Sequence, residues 1–185
     1  MTQLVLFNKP YNVVSQFSGD PVEETLAAYI KMPGFYAAGR LDKNSEGLLL
    51  LTNDGALSHL LTSPKFNKKK NYWVQVEGVP TEDSLQPLRK GLKLRNVSFR
   101  PAQVSLINEP LLWRRNPPIR ERKNIPTSWL EIILQEGKNH QVRKMTAAVG
   151  YPTLRLVRHK IAEWELGALQ PGDYKLIDYK DLPSK

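Results

Sequence analysis

Hydrophobic positions along this chain fall in short alternating runs and a few solid blocks, separated by turn residues. "LVLFNKP" near the start reads as a buried strand stopped by Pro10, and "VVSQF" as a short strand after a turn. "DPVEETLAAYI" predicts a helix with Asp20 as N-cap, Pro21 at the first helical position and Glu23 three residues after the cap. "FYAAGRLDKNSEG" is extended and then loop, "LLLLT" a strand buried on both faces, "NDG" a turn and "GALSHLLT" a short helix. "NYWVQVEG" alternates as a strand, while "TEDSLQPLRKG" predicts a helix that Pro87 distorts or shortens.

"LKLRNVSFRPAQVSLI" reads as a hairpin or meander, and "SWLEIILQEG" as a further strand. In "NHQVRKMTAAVG", Asn139 is placed to cap a helix, Val142, Met145 and Val149 share one face, and Gly150 supplies the stop. "TLRLVRHKIAEWEL" and "DYKLIDY" close the chain as strands. Strand runs outnumber helices and the helices are irregularly spaced. This predicts an α+β fold with a mixed, mostly antiparallel sheet and flanking helices, not a doubly wound one. At 185 residues the expectation is a single domain over 1–185, with room for two lobes. No repeat or low-complexity tract interrupts it. Residues 108–127 break the pattern, because four prolines and five Lys/Arg oppose regular structure there. A long basic loop in a compact domain is usually functional or mobile.

Charge narrows the function classes. Lys+Arg of 27 against Asp+Glu of 18 gives a formal +9, which favours a polyanionic partner through counterion release. Between Lys138 and Lys160 there are six Lys/Arg and no acidic residue. "KFNKKKNYW" sets Lys68, Lys69 and Lys70 beside Tyr72 and Trp73, a composition suited to backbone contact plus base stacking. The absence of cysteine excludes disulfides, thiolate nucleophiles and Cys-based zinc sites. Without an 18-residue apolar run or a signal-like start, the expectation is a cytoplasmic protein with no membrane partner.

The loop "AAGRLDKNSEGLLLLTNDG" is the main candidate for chemistry. Asp42, Asn44, Glu46 and Gly47 match positions 1, 3, 5 and 6 of a calcium loop, but position 12 is Asn53 and a strand follows, so no metal is expected. His59, His140 and His159 are too scattered for a local zinc pair. Neither a Walker-type phosphate cradle nor a G-x-S-x-G elbow is present. Read alone, the loop leaves a turn-forming Asp42 and a functional Asp42 both open.

"GRLDKNSEGLLLLTNDG", together with "NKPYNVVSQF", "KKKNYWVQVEG", "LQEGKNHQVRKM" and "LRLVRHKIAEWELGALQPGDY" in that order, resembles the pseudouridine synthases of the RsuA type along almost the whole chain. The resemblance implies that fold, with a catalytic cleft, and conversion of a uridine in 23S ribosomal RNA to pseudouridine without metal or cofactor. By the same resemblance Asp42 is the catalytic carboxylate, Arg143 its cationic partner, and Tyr72 the plate over the uracil, its hydroxyl a candidate for taking the C5 proton. Arg40 enters the RNA, and Leu156 closes the pocket. Lys9 and Pro10 match a family signature of architectural value.

Lys138 and Lys144 are expected to meet phosphates. Arg114, Arg115, Arg120 and Arg122 of the insert, with Lys68, Lys69 and Lys70, are expected RNA contacts. Most members of that branch carry an N-terminal S4-type RNA-binding domain. Nothing precedes "LVLFNKP" here, so either the chain has been trimmed or the catalytic domain and the insert do the recognising. The partner implied is large-subunit rRNA, bound by a monomer. A non-catalytic rRNA-binding or assembly factor on the same scaffold, and an RNA nuclease, are the competing readings.

Overall fold

The computed structural model describes residues 2–179. In chain order its elements are β1 (Thr2–Lys9), β2 (Tyr36–Ala37), β3 (Glu46–Thr52), α1 (Gly55–Thr62), β4 (Lys70–Glu77), α2 (Glu82–Lys90) and β5 (Leu92–Lys93). There follow β6 (Ser98–Phe99), β7 (Gln103–Ile107), β8 (Thr127–Leu134), α3 (Gln141–Ala148), β9 (Thr153–Ile161), β10 (Trp164–Glu165) and β11 (Tyr174–Tyr179). The fold is α+β. Two compact units divide it, residues 2–68 with 163–179, and residues 69–162.

The first unit is built around β3, whose Leu48, Leu49, Leu50 and Leu51 are all fully buried. Burying one leucine is worth roughly 1.5–3 kcal/mol, so this strand anchors the unit. It pairs antiparallel with β1 from Leu4↔Thr52 to Lys9↔Gly47, and β1 pairs in turn with β11. Strand alternation sends Leu49 and Leu51, with Val5 and Phe7 of β1, into a core shared with Val13, Leu26, Ile30, Phe35 and Leu41. At the far end of β3, Asp54 caps α1 by accepting from Ala56 N at 2.8 Å and Leu57 N at 3.0 Å. The Leu57 N–H and the Thr2 hydroxyl hold the Asp54 carboxyl below its ordinary pKa.

Two sequence expectations fail in this unit. Residues 20–30 do not form one helix with Asp20 as cap; they form two 3-10 turns, Val22–Glu24 and Leu26–Ala28, separated by extended Thr25. The segment expected as the strand "VVSQF" is not a ladder strand. One cause accounts for both. Val14 N bonds Glu24 O and Leu26 N bonds Gln16 O, so each segment supplies the other's backbone partners and neither is left to propagate regularly.

The second unit is an antiparallel sheet in the order β9–β4–β8–β7. Tyr72, Val74 and Val76 of β4 point to one face, where Leu85 and Leu88 of α2 and Val142 and Met145 of α3 complete the core. Thr81 and Ser84 form a reciprocal capping box at the start of α2. The helix runs on to Lys90 with Pro87 inside it, held across the missing N–H by buried Leu85 and Leu88. Small β5 and β6 pair as a hairpin, as expected. The closing strand predicted over 153–166 breaks after Ile161, where Ala162 adopts φ 51°. Residues 108–126 carry no helix or strand, in agreement with their prolines.

Candidate active site

Asp42 lies between a buried neighbour and exposed ones. Leu41 is packed into the core beside Leu49 and Leu51, Asp42 is half-buried, and Arg40, Lys43 and Asn44 are exposed. The chain enters this loop through Gly39 at φ +85°, a left-handed conformation that suits glycine. It leaves through a turn closed by Ser45 N on Asp42 O at 2.9 Å, after which β3 begins at buried Glu46. Glu46 is therefore drawn into the sheet rather than left in the turn. Among the described residues no group of three or more His, Asp or Glu could hold a metal ion.

The backbone on both sides of Asp42 is tied to residues 9–15. Ser15 Oγ donates to Leu41 O at 2.6 Å and accepts from Leu41 N at 3.0 Å. On the other side Asn12 N donates to Lys43 O at 2.8 Å. Lys9 is fully buried, and its Nζ donates to Val13 O at 2.7 Å, Pro10 O at 2.8 Å and Lys43 O at 3.4 Å. A buried ammonium is tolerable only when its protons are used, and here they cross-link the two loops. At the surface Lys43 and Asn12 both meet the Glu24 carboxylate, and Lys43 holds it below its ordinary pKa. Arg40 reaches Gln16 Oε1 at 3.5 Å along an otherwise exposed side chain.

In the second unit Tyr72 and Leu156 belong to one buried cluster, with Leu156 beside Val74 in the β4–β9 register. Arg143 is half-buried in the first turn of α3, between Val142 and Met145-bearing positions of the same cluster, while Lys144 is exposed. The start of α3 is not capped by Asn139. His140 takes the cap position at φ 51°, and its side chain does not cap the helix N–H groups. Gln141 instead ties the approach to the helix: its Oε1 accepts from Lys138 N at 3.1 Å and its Nε2 donates to buried Glu136 at 2.8 Å. Glu136 also accepts from Arg100 N at 2.7 Å. Lys138 bonds Ser98 O and lies 3.8 Å from Glu136, so this lysine also ties α3's approach to β6.

The basic insert is fastened to the opposite face of this sheet. Trp73, Gln75 and Glu77 alternate with Tyr72, Val74 and Val76. Gln75 Nε2 donates to Glu121 at 2.9 Å, Arg122 lies 3.4 Å from Glu77, and buried Arg155 donates to Trp113 O at 3.0 Å. Arg115 donates to Pro117 O and Pro118 O within the insert, whereas Arg114 and Arg120 are exposed. Trp73 stacks on His159 at 4.0 Å, and His159 meets Glu131 at 3.0 Å on the same face.

Lys68 is half-buried, Lys69 exposed and Lys70 half-buried. Burial, with the Arg158 guanidinium nearby, holds Lys70 below the usual lysine pKa.

Sequence reasoning passed over Ser15, Glu136, Gln141 and Arg158. Nothing in a lone serine signals a loop clamp. Gln141 and Glu136 carried the signal of a carboxylate and an amide five residues apart at a helix entrance, and Arg158 that of a cation in an apolar strand.

Residues 3–148 match the family model described as RNA pseudouridylate synthase. The chain is 53% identical over 182 residues to the Vibrio vulnificus (strain CMCP6) protein named ribosomal large subunit pseudouridine synthase E, covering 98% of this chain and 76% of that one. It is 57% identical over 171 residues to the Xanthomonas axonopodis pv. citri (strain 306) protein of the same name, covering 91% of this chain and 90% of that one. A solved structure titled "Crystal structure of pseudouridylate synthase" matches with a TM-score of 0.78 at 27% identity, over 96% of this chain and 71% of that chain. The chain belongs to the RNA pseudouridylate synthase family.

Proposed function

We propose that this chain isomerises one uridine of large-subunit ribosomal RNA to pseudouridine, with Asp42 as the reacting carboxylate. The observation that carries this is local. The backbone is fixed at both Leu41 and Lys43, while the Asp42 side chain between them remains half-exposed next to exposed Arg40. Two relatives named ribosomal large subunit pseudouridine synthase E support the substrate class.

The reaction breaks the bond from uracil N1 to C1′ and forms one from C5 to C1′. N1 gains a proton and C5 loses one, so atoms and electrons balance without oxidant, water or metal. A carboxylate is suited to attack the ribose, to move a proton from it, or to stabilise positive character there. Arg143 is assigned as the cationic partner of the reacting carboxylate. The target base must leave its stack before C5 can be reached. Arg40 is assigned to the vacated stack, and Tyr72 with Leu156 to the base. Tyr72's hydroxyl is the candidate acceptor of the C5 proton. Lys138, Lys144 and Lys68 to Lys70 serve the phosphates. The enzyme acts as a monomer in the cytoplasm.

The test uses undermodified 23S rRNA with wild type and Asp42→Asn, followed by carbodiimide mapping of pseudouridine. Wild type adds one modification and the Asn variant adds none. A wild type that binds rRNA without modifying it would establish the assembly-factor reading, and shortened RNA would establish a nuclease.

A further inference from the structure

We propose that Ser15 is a positioning residue for Asp42, acting through the backbone of Leu41. The inference rests on the reading of Asp42 as the reacting carboxylate. Ser15 Oγ meets both polar backbone groups of Leu41, donating to its carbonyl at 2.6 Å and accepting from its N–H at 3.0 Å. The peptide that leads into Asp42 begins at that same carbonyl carbon, so the hydroxyl sets the plane from which the carboxylate projects. The residue is only 7% exposed, which shields both bonds from competing water. Leu41's side chain is meanwhile locked in the core with Leu49 and Leu51. The peptide before Asp42 is thus held from the side-chain end by packing and from the backbone end by one hydroxyl.

Other ties in the loop do different work. Lys9 and Asn12 hold Lys43, after Asp42, and Lys43 itself is salt-bridged at the surface to Glu24. Those contacts fix the exit of the turn and the general fold of residues 9–15. Ser15 fixes the entrance. Removing it leaves Leu41 anchored by apolar packing, which tolerates rotation about the following peptide in a way that two opposed hydrogen bonds do not. A small misplacement of a reacting group costs about 100-fold in rate, so a hydroxyl distant from the substrate can govern turnover.

The experiment measures release of tritium from RNA carrying [5-³H]uridine, giving kcat and KM for wild type, Ser15→Ala, Ser15→Cys and Ser15→Thr, with thermal melting of each. Ser15→Ala is expected to lower kcat by roughly 10- to 100-fold while KM for RNA stays within twofold. Ser15→Cys, which keeps the volume but offers a weak donor and acceptor, falls between Ala and wild type, and Ser15→Thr, which keeps the hydroxyl, recovers most of the rate. Thr81→Ala, which removes the cap of α2, lowers the melting temperature without moving kcat.

Wild-type kcat in Ser15→Ala or in Ser15→Cys would overturn the proposal. So would a Thr81→Ala variant that loses kcat in proportion to its melting temperature as Ser15→Ala does. If Ser15→Ala does not fold, Ser15→Cys decides alone. Full turnover by Asp42→Asn would instead remove the reading on which the proposal rests.

Discussion

Gln75 Nε2 donates to Glu121 Oε1 at 2.9 Å, and this bond fastens the Pro-rich insert to the central strand β4. Gln75 is buried and Glu121 is exposed, so the contact marks where a loop without regular structure is moored to the sheet. Gln75→Leu removes the donor while keeping the bulk. Limited trypsin digestion is expected to cleave the variant faster at Arg114 and Arg120, with the rest of the unit intact. Unchanged cleavage would show that the Arg155–Trp113 bond and the Arg122–Glu77 pair hold the insert without it.

The four insert arginines are expected to divide in their effects on RNA binding. Arg115 satisfies carbonyls inside the insert, so neutralising it changes the shape of the loop, while Arg122 lies 3.4 Å from Glu77 with its side chain 71% exposed. Arg114 and Arg120 are exposed. Neutralising the latter two lowers rRNA affinity and flattens the plot of log affinity against log salt by about 0.9 per lost phosphate contact. Filter binding between low and moderate salt checks it, and an unchanged slope would place this surface away from RNA.

Lys9→Met is expected to destabilise the first unit without altering its surface. The substitution is close in length and removes the donor from the carbonyls of Val13, Pro10 and Lys43. Leaving a buried acceptor without its donor costs about 1–3 kcal/mol, so the variant loses at least that much in denaturant unfolding. A loss below the lower figure would mean that water reaches these carbonyls.

Lys70 makes stability depend on alkaline pH. Its folded-state pKa lies below the unfolded value of 10.5, chiefly because burial disfavours the ammonium and secondarily because Arg158 is near. The unfolded chain therefore binds more protons between the lowered value and 10.5, and stability rises with pH across that window. Below it the full penalty of burying the charge is present. Lys70→Met removes the penalty, so at neutral pH the variant melts higher than wild type, and the gap narrows as pH approaches 10.5. A gap that is constant with pH would show that the charge at Lys70 carries no cost.

Much of the fold was legible because its signals are local. Four leucines between Glu46 and Thr52 can only be satisfied in a fully buried strand, the turn "NDG" leads into the helix read over "GALSHLLT", and Gly150 at φ +90° ends one. The order of the five motifs carried the family resemblance. What misled was equally local. Asp20, Pro21 and Glu23 spell a helix start, yet residues 20–30 become two short turns because Gln16 and Val14 compete for their backbone partners. Asn139 spells a cap, yet Gln141 and buried Glu136 organise the start of α3 from within.

By itself the sequence determined which stretches must be buried, where most elements end, and that Asp42 sits on a short loop leading into an immovable strand. Those are properties of neighbouring residues, set by periodicity and turn chemistry. Only the tertiary structure decided what holds the loop still. Ser15 reaches Leu41 across 26 residues and Lys9 reaches Lys43 across 34, and the insert proves moored to the face of the sheet that Tyr72 does not share. Such pairings are invisible in a linear pattern, because a hydroxyl or an ammonium chooses its partner by proximity after folding, not by spacing along the chain.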